Sequence, residues 1–326
     1  MTSSQKIESI LKQAPIILFG LVLALFGLLA PKFLGANNLI NIGVQAAPVG
    51  LVAIGMTFVL LTGGVDLSVG AIMFVAAAIA GKMAPGGQPV PVIIGAMILA
   101  GLGSGMVNAF FITRMRTAAF IVTLSFLFIG RGFSLWLTQT RALSLPDTFL
   151  EIGSTHLVGL PLPLALFVVA AIFSQTILKC TSFGRQVLAV GFNRDAARQA
   201  GINCTRILWV VYLVSGLCAA VGAILALGQL GTVTPKFGEN YEFKAIAAAV
   251  LGGTSLFGGR GAVFPGTVLG TLLIQAVENG LVLLNTDPYL YPLITSAIIF
   301  SAVLLDSLRN AFLERRYRRR IRLEVS

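Results

Sequence analysis

Long apolar runs, separated by short polar or glycine-rich segments, dominate the chain. At roughly 20 apolar residues per transmembrane helix, this pattern predicts about ten spans. The runs are continuous and lack the short alternating strands of a membrane β-barrel. We therefore expect an all-α integral membrane protein, with residues 1–326 forming one transmembrane domain. The predicted spans are 15–31, 40–61, 67–84, 92–113, 118–138, 162–179, 207–229, 243–257, 263–284 and 289–307.

Two of the predicted spans are short and lie next to glycine-rich breaks. Span 67–84 measures about 27 Å and span 243–257 about 22 Å at 1.5 Å per residue, whereas the hydrocarbon core is about 30 Å thick. Gly63-Gly64 precedes the first, and Gly252-Gly253 and Gly258-Gly259 interrupt or follow the second. Interrupted membrane helices are typical of the working region of a transporter.

Composition and charge agree with a membrane location. Of the 326 residues, 56% are hydrophobic and 11% are charged, against about 25% charged in soluble domains. Much of the net charge of +11 comes from seven arginines, Arg309 and those of 315–322. Positive charge collects on the cytoplasmic side of membrane proteins. We therefore expect the basic tail, 309–326, and the N-terminus to be cytoplasmic, with an uncleaved first span and the lipid bilayer, not nucleic acid, as the partner.

Asp66 lies within the glycine-rich stretch Leu60–Gly70 and has two interpretations. As a helix cap, its carboxylate accepts the free N–H groups of Ser68 or Val69 at the start of the following span. As a pathway residue, it lines a polar vestibule or hinge. The two roles are compatible, because a capped helix end beside a cavity serves both.

Other polar and aromatic side chains inside apolar spans are candidates for the substrate pathway. Polar groups in membrane helices usually face the bundle interior, where they either hydrogen-bond an uncharged polyol or hold helices together. An aromatic ring nearby offers a face for a sugar ring to stack on. Together with Asp66, the candidates are Ser68, Asn108, Thr123, Phe126, Glu278 and Asn279.

The longest predicted cytoplasmic segment, 179–206, contains the signals of a short helix. Asn193 is the expected N-cap of a helix over Arg194–Gln199, which Gly201 closes in the C-cap role. This helix either docks on a cytoplasmic partner or belongs to a solvated loop. Elsewhere, Gly101 and Gly105, spaced i, i+4, predict close approach of two helices.

Residue types needed for catalysis are scarce. The chain has one histidine and three cysteines without metal-ligand spacing, and it offers no acid–base pair or nucleophile constellation. The stretch 253–260 has the glycine spacing of a phosphate-binding loop, but Gly259 occupies the position of the required lysine. We therefore predict no catalytic residues, no metal site and no ATP hydrolysis by this chain.

Three motifs together resemble the monosaccharide-type permeases of bacterial ABC importers, such as those for ribose, xylose and galactose. The resemblance implies a ten-helix permease of the vitamin B12-importer (type II) kind. It also implies a second permease subunit, identical or not, a cytoplasmic ATP-binding cassette subunit that binds ATP and Mg²⁺, and a periplasmic sugar-binding protein. No cofactor is expected on this chain. The motifs are GGVDLSVG (63–70), GRQVLAVGFNRDAARQAGI (184–202) and YEFKAIAAAVLGGTSLFGGRGAVFPGTVLG (241–270).

The resemblance favours docking for the 179–206 segment, since it matches the family's ATPase-contacting loop. Phe192, Lys244 and Ala71 depart from the residues frequent in the family, which suggests a different sugar or pairing with a non-identical permease. The residues implied in ATPase coupling are Gly184, Arg185, Asn193, Arg194, Asp195, Ala196, Ala197, Arg198 and Gly201.

The sequence thus predicts the permease of an ATP-driven importer that moves a pentose or hexose across the bacterial inner membrane by alternating access. The rival hypothesis is an ion-coupled secondary transporter of a small polar solute, with Asp66 or Glu278 as the coupling acid. A membrane enzyme and a lipid exporter fit less well, because the chain has no catalytic constellation and no large soluble domain accompanies it. Which sugar is carried does not follow from this chain.

Overall fold

The chain forms a helical bundle. The computed structural model describes residues 3–157, 159–298, 300, 301 and 304, so the basic tail, 309–326, lies outside the described residues. The twelve helices that can be bounded are α1 (Ser3–Leu29), α2 (Ala36–Leu61), α3 (Val69–Met83), α4 (Val90–Thr113), α5 (Ala119–Thr138), α6 (Asp147–Ser154), α7 (Leu162–Cys180), α8 (Ser182–Phe192), α9 (Arg194–Gln199), α10 (Cys204–Leu230), α11 (Tyr241–Leu251) and α12 (Val268–Leu283). Residues 290–298 are also helical.

Short strands join the loops at one end of the bundle. β1 (Leu143–Ser144) pairs antiparallel with β4 (Thr232–Val233), in the register Leu143 to Val233. β2 (His156–Leu157) pairs antiparallel with β3 (Leu160–Pro161). Since β1 follows α5 and β4 follows α10, their pairing places the ends of these two helices at the same end of the bundle.

Helix α2 lies at the centre. From Ile42 onward nearly all of its side chains are buried, and it packs against α7, α10, α11 and α12. In contrast, α5 has only five buried residues and presents apolar side chains such as Phe128 and Ile129 outward. An apolar outer surface around a buried central helix is the arrangement that a hydrocarbon solvent favours.

The predicted close approach at Gly101 and Gly105 is confirmed. A Cβ atom on Gly101 would lie 2.6 Å from the Cβ of Ala220, and one on Gly105 would lie 3.1 Å from the carbonyl carbon of Tyr212. Both neighbours belong to α10. Small residues on α4 therefore let its backbone pack directly against α10.

The predicted membrane helices agree with the structure in most places. Among the described residues, seven helices are long and apolar enough to cross a membrane, and they coincide with seven of the predicted spans. The first predicted span corresponds to the apolar part of α1, Ile16–Leu29, which is shorter than these seven helices. The last predicted span is helical over 290–298 but lies partly outside the described residues. An all-α membrane protein is confirmed, while the count of about ten spans and the type II fold stay predictions.

The predicted span 243–257 is wrong in extent. The helix there, α11, comprises 11 residues, about 16 Å at 1.5 Å per residue, too short to cross a bilayer core. It ends because Gly253 takes the left-handed conformation, with φ of 91°, which turns the chain away from the helix axis. Residues 252–262 form turns and irregular backbone. A kink over Val263–Thr267, with Phe264 in an extended conformation (φ −116°, ψ 131°), leads into α12.

A side chain from α7 stabilises this break. The Gln175 Oε1 atom accepts hydrogen bonds from the backbone N–H groups of Val263 at 2.9 Å and Phe264 at 3.0 Å. Both N–H groups lie where the regular helix is interrupted, and an unpaired buried N–H is costly. Gln175 therefore supplies the acceptor that the broken helix lacks.

Candidate functional site

Polar side chains form two facing stripes at one end of the bundle. Asn38, Asn41 and Gln45 are spaced i, i+3, i+7 and share one face of α2. On α12, Gln275, Glu278 and Asn279 follow the same helical period. Because α2 packs against α12, the start of α2 and the end of α12 bring these stripes together.

Amide side chains join the two stripes. Asn38 Nδ2 donates to Asn279 Oδ1 at 2.8 Å, and Asn279 Nδ2 donates back to Asn38 Oδ1 at 3.1 Å. About one turn before Asn279 on α12, Gln275 Nε2 donates to Gln45 Oε1 of α2 at 3.0 Å. These bonds tie α2 to α12 without using all the donors and acceptors that each amide carries.

An ion pair links α11 to the same wall. Lys244 Nζ lies 2.6 Å from Glu278 Oε1, and the two side chains are 27% and 21% exposed. A partly buried pair of this kind is screened less than a surface pair. Lys244 therefore neutralises the only acid of the α12 stripe.

The stripes and the ion pair line a half-open cavity of about 930 Å³, which we call the amide cavity. Its size is in the upper part of the ~300–1,000 Å³ range of ligand pockets. Polar side chains share the wall with three aromatic rings and with the apolar residues Val282, Leu283 and Pro292. The wall residues include Asn38, Asn41, Gln45, Glu239, Phe243, Lys244, Gln275, Glu278, Asn279, Tyr291, Thr295, Ser296 and Phe300.

Asp66 lies at the other end of α2, in the turn before α3, and is fully buried. Its Oδ1 accepts hydrogen bonds from the N–H and the hydroxyl of Ser68, and its Oδ2 accepts from Ser215 Oγ of α10 at 2.7 Å. Burial raises the pKa of the Asp66 carboxyl, and the hydrogen bonds from Ser68 and Ser215 act against this rise. The predicted contact with the Ser68 N–H is present, but Asp66 is not the N-cap of α3: Ser68 occupies that position, and no side chain caps the helix. Asp66 closes the turn before α3 instead.

The candidates Asn108, Thr123 and Phe126 lie near Asp66 or in the core around it. Asn108 Nδ2 donates to Ser68 Oγ at 2.8 Å, and Thr123 Oγ1 lies 3.3 Å from the carbonyl oxygen of Val65. Phe126 packs against the main hydrophobic core. These residues join α4, α5 and the turn before α3.

The sequence-predicted pathway residues therefore fall into two separate groups. Glu278 and Asn279 lie in the amide cavity beside the start of α2, whereas Asp66, Ser68 and Asn108 lie beyond its end. The 26 residues of α2 span roughly 39 Å at 1.5 Å per residue. One small ligand does not contact both groups at once.

The 179–206 segment folds into α8 and α9 as capped helices. Asn193 Oδ1 accepts the N–H groups of Asp195 at 3.0 Å and Ala196 at 2.9 Å. Gly201 has φ of 82°, and its N–H donates to the Arg198 carbonyl at 2.9 Å. The predicted helix Arg194–Gln199 and its N-cap are confirmed, whereas the C-cap residue is Ala200 and the left-handed Gly201 follows it.

Most of the coupling candidates on α8 and α9 are exposed. Among the described residues of this segment, Phe192 is an apolar side chain with 82% exposure. We call the exposed set the docking surface. Ala197 and Gly184 are buried and hold the helices in place. The docking surface comprises Arg185, Phe192, Asn193, Arg194, Asp195, Ala196 and Arg198.

The end of α8 packs tightly against both glycine-rich breaks. The Gly259 N–H donates to the Leu61 carbonyl at 3.0 Å, which joins the end of α2 to the turns after α11. A Cβ on Gly191 would overlap the Leu61 carbonyl oxygen and lie 2.7 Å from Gly259 N. We call this three-way packing the glycine contact; it leaves no room for a side chain at position 191.

Comparison with known proteins accounts for this architecture. Residues 38–305 match the family described as branched-chain amino acid transport system / permease component. The chain is 39% identical over 305 residues to the ribose import permease protein RbsC of Bacillus subtilis, covering 92% of this chain and 94% of the relative. It is 33% identical to RbsC of Haemophilus influenzae (91% and 94%) and 32% identical to the D-allose transport system permease protein AlsC of Escherichia coli (91% and 92%).

The chain belongs to the family of sugar ABC importer permeases. The family expected from the three sequence motifs is thereby confirmed, and its relatives are transport permeases, not enzymes. No solved structure matches this permease.

Sequence reasoning missed most of the amide cavity of this permease. It identified Glu278 and Asn279 but passed over Asn38, Asn41 and Gln45, since a run rich in apolar residues was treated as uniformly apolar. Their i, i+3, i+7 spacing was the available signal, because polar residues on one face of a membrane helix face protein or water.

Proposed function

We propose that this permease moves a neutral monosaccharide, a pentose or hexose, across the bacterial inner membrane by alternating access. The similarity of nearly the whole chain to permeases of ribose and allose systems carries this proposal. In our proposal, a periplasmic sugar-binding protein delivers the substrate and a second permease subunit, identical or not, completes the pathway. The permease has about ten spans, a type II fold and both termini in the cytoplasm.

The driving force enters, in this proposal, at the docking surface. A separate ATP-binding cassette subunit binds ATP and Mg²⁺ and contacts α8 and α9. Exposed arginines beside an exposed Phe192 suit a protein partner, because interfaces favour aromatic and arginine side chains. An apolar side chain that is 82% exposed also loses contact with water when a partner covers it, which stabilises the complex.

The glycine contact offers a route from the docking surface to the bundle. Gly191, in the last turn of α8, lies against the Leu61 carbonyl, which accepts a hydrogen bond from the Gly259 N–H. A displacement of α8 therefore acts at the same time on the end of α2 and on the break between α11 and α12. Tightly packed backbone transmits displacement because the packing has no free volume to absorb it.

Reconstitution tests the proposed function. Proteoliposomes containing the permease, its ATPase and its binding protein should take up labelled monosaccharide only with internal ATP, and a protonophore should not affect uptake. Charge reversal at Arg194 and Arg198 should weaken ATPase assembly and reduce uptake, whereas reversal at the exposed Arg141, outside α8 and α9, should not. Uptake that a protonophore abolishes and ATP does not support would refute the importer, and normal assembly of the Arg194/Arg198 variant would refute docking at this surface.

A further inference from the structure

The residues of the amide cavity do not suit a lipid-facing surface. Asn41 and Gln45 are exposed in the single chain, yet they lie on α2, a helix long and apolar enough to cross the membrane. Asn41 Oδ1 accepts from Gln45 Nε2 at 3.3 Å, and Gln45 Oε1 accepts from Gln275 at 3.0 Å, but these bonds leave part of each amide's hydrogen-bonding capacity unused. Leaving that capacity unused in hydrocarbon costs several kcal/mol, and polar surface at membrane depth is found beside protein or water. The stripes therefore face water or another protein surface and not lipid.

The chemistry of the wall selects a class of ligand. Each amide offers two donor hydrogens and an acceptor oxygen, which complement sugar hydroxyls, since a hydroxyl both donates and accepts. Phe243 and Tyr291 add apolar ring surface to the same wall, matching the apolar faces of a pyranose or furanose ring.

The charges of the wall exclude anionic sugars. Lys244 is neutralised by Glu278 at 2.6 Å, and Glu239 adds a further acidic side chain to the wall. A sugar phosphate or a sugar acid would therefore meet a wall with excess negative charge, and like charges brought together in a cavity repel. A neutral polyol meets no such barrier.

From these observations we infer that the amide cavity is a binding site for a neutral monosaccharide within the permease itself. The inference rests on the proposed function and makes it more specific. At about 930 Å³, the cavity holds a monosaccharide together with water, so the hydroxyls exchange water for amide partners as the sugar passes. The stripes on α2 and α12 are then selectivity elements in addition to the separate binding protein.

Two leucine variants and one matched control test the inference. Asn41→Leu and Gln275→Leu remove amides from the cavity, whereas Asn37→Leu makes the same exchange on an exposed residue of α2 that is not part of its wall. Proteoliposomes with the ATPase and binding protein are supplied with labelled D-ribose, L-arabinose or D-allose, and with the 2-deoxy analogue of the sugar transported fastest. All variants share one binding protein, so a change in the ratio of sugar to deoxy-sugar uptake belongs to the permease.

We expect each cavity variant to slow uptake about fivefold, as loss of one net hydrogen bond predicts, and to lower the sugar-to-deoxy-sugar ratio. ATPase stimulation by the binding protein should stay within about twofold of wild type, and Asn37→Leu should behave as wild type. If wild type transports a sugar and both cavity variants match it in rate and ratio, the inference is overturned and the proposed function stands. An equal loss in Asn37→Leu also overturns the inference, while a wild type that transports no monosaccharide overturns both.

Discussion

Replacing Gly191 with alanine gives the sharpest test of coupling through the glycine contact. The added Cβ would lie 2.8 Å from the carbonyl carbon of Leu61, where ordinary contacts begin at 3.4 Å, and closer still to the Leu61 oxygen. Both contacts are with backbone atoms of Leu61, so no side-chain rotation can relieve them. The end of α8 must therefore move away from α2 and Gly259.

The size of the effect follows from two opposing contributions. Overpacking of a tight contact costs about 1–3 kcal/mol, while alanine in place of glycine favours a helix by about 0.5–1 kcal/mol. Because the clash is with backbone atoms, the upper end of the overpacking cost applies. The docked position of α8 is then destabilised by about 2 kcal/mol, a factor of roughly 30 in its population. We expect ATP-driven uptake to fall by a similar factor.

The assay compares sugar uptake with ATP hydrolysis in proteoliposomes containing the full transporter. Gly191→Ala should retain the assembled complex and its basal ATPase activity while uptake falls. Gly103→Ala, in α4, is the matched control because a Cβ there has nothing within 4 Å. Uptake by Gly191→Ala within about twofold of wild type would show that displacement does not pass through this contact.

Two further predictions concern the buried carboxylate and the cap of α9. Asp66→Ala leaves the Ser68 and Ser215 hydroxyls without their acceptor, at about 1–3 kcal/mol per buried group, and should lower the melting temperature in detergent. Asp66→Asn keeps an acceptor and should lower the melting temperature less. Lost transport in a well-expressed Asp66→Asn variant would instead favour a pathway role for Asp66. Asn193→Ala removes the N-cap of α9, which is worth about 1 kcal/mol, and should speed hydrogen exchange at the Asp195 and Ala196 amides. Asn193→Asp keeps a capping side chain and should leave the exchange rates unchanged. Equal exchange in the wild type and both variants would contradict a capping role for Asn193.

Structural features set by a few neighbouring residues could be predicted from the sequence, whereas features set by packing between helices could not. The bounds of α9 followed from Asn193 and Gly201, because cap side chains and left-handed glycines act within a few residues. The extent of α11 did not, since the apolar residues after Gly253 continue the hydrophobic pattern through a turn. The predicted spans already separate the two acids, because Asp66 precedes the third span and Glu278 lies near the far end of the ninth. The partner of each acid was out of reach, since Ser215 and Lys244 come from other helices.

The placement of the two acids also bears on the ion-coupled alternative. Such a carrier needs an acid that exchanges a cation or proton with water in each cycle. Asp66 is fully buried and accepts three hydrogen bonds. Glu278 is paired with Lys244. Breaking a buried ion pair costs about 3–5 kcal/mol, and breaking the partly buried Lys244–Glu278 pair costs part of that amount. Both acids thus hold helices together in the observed arrangement. The exposed docking surface on α8 and α9 provides a point where a partner can act without disturbing either acid, and this favours a transporter driven from outside the bundle.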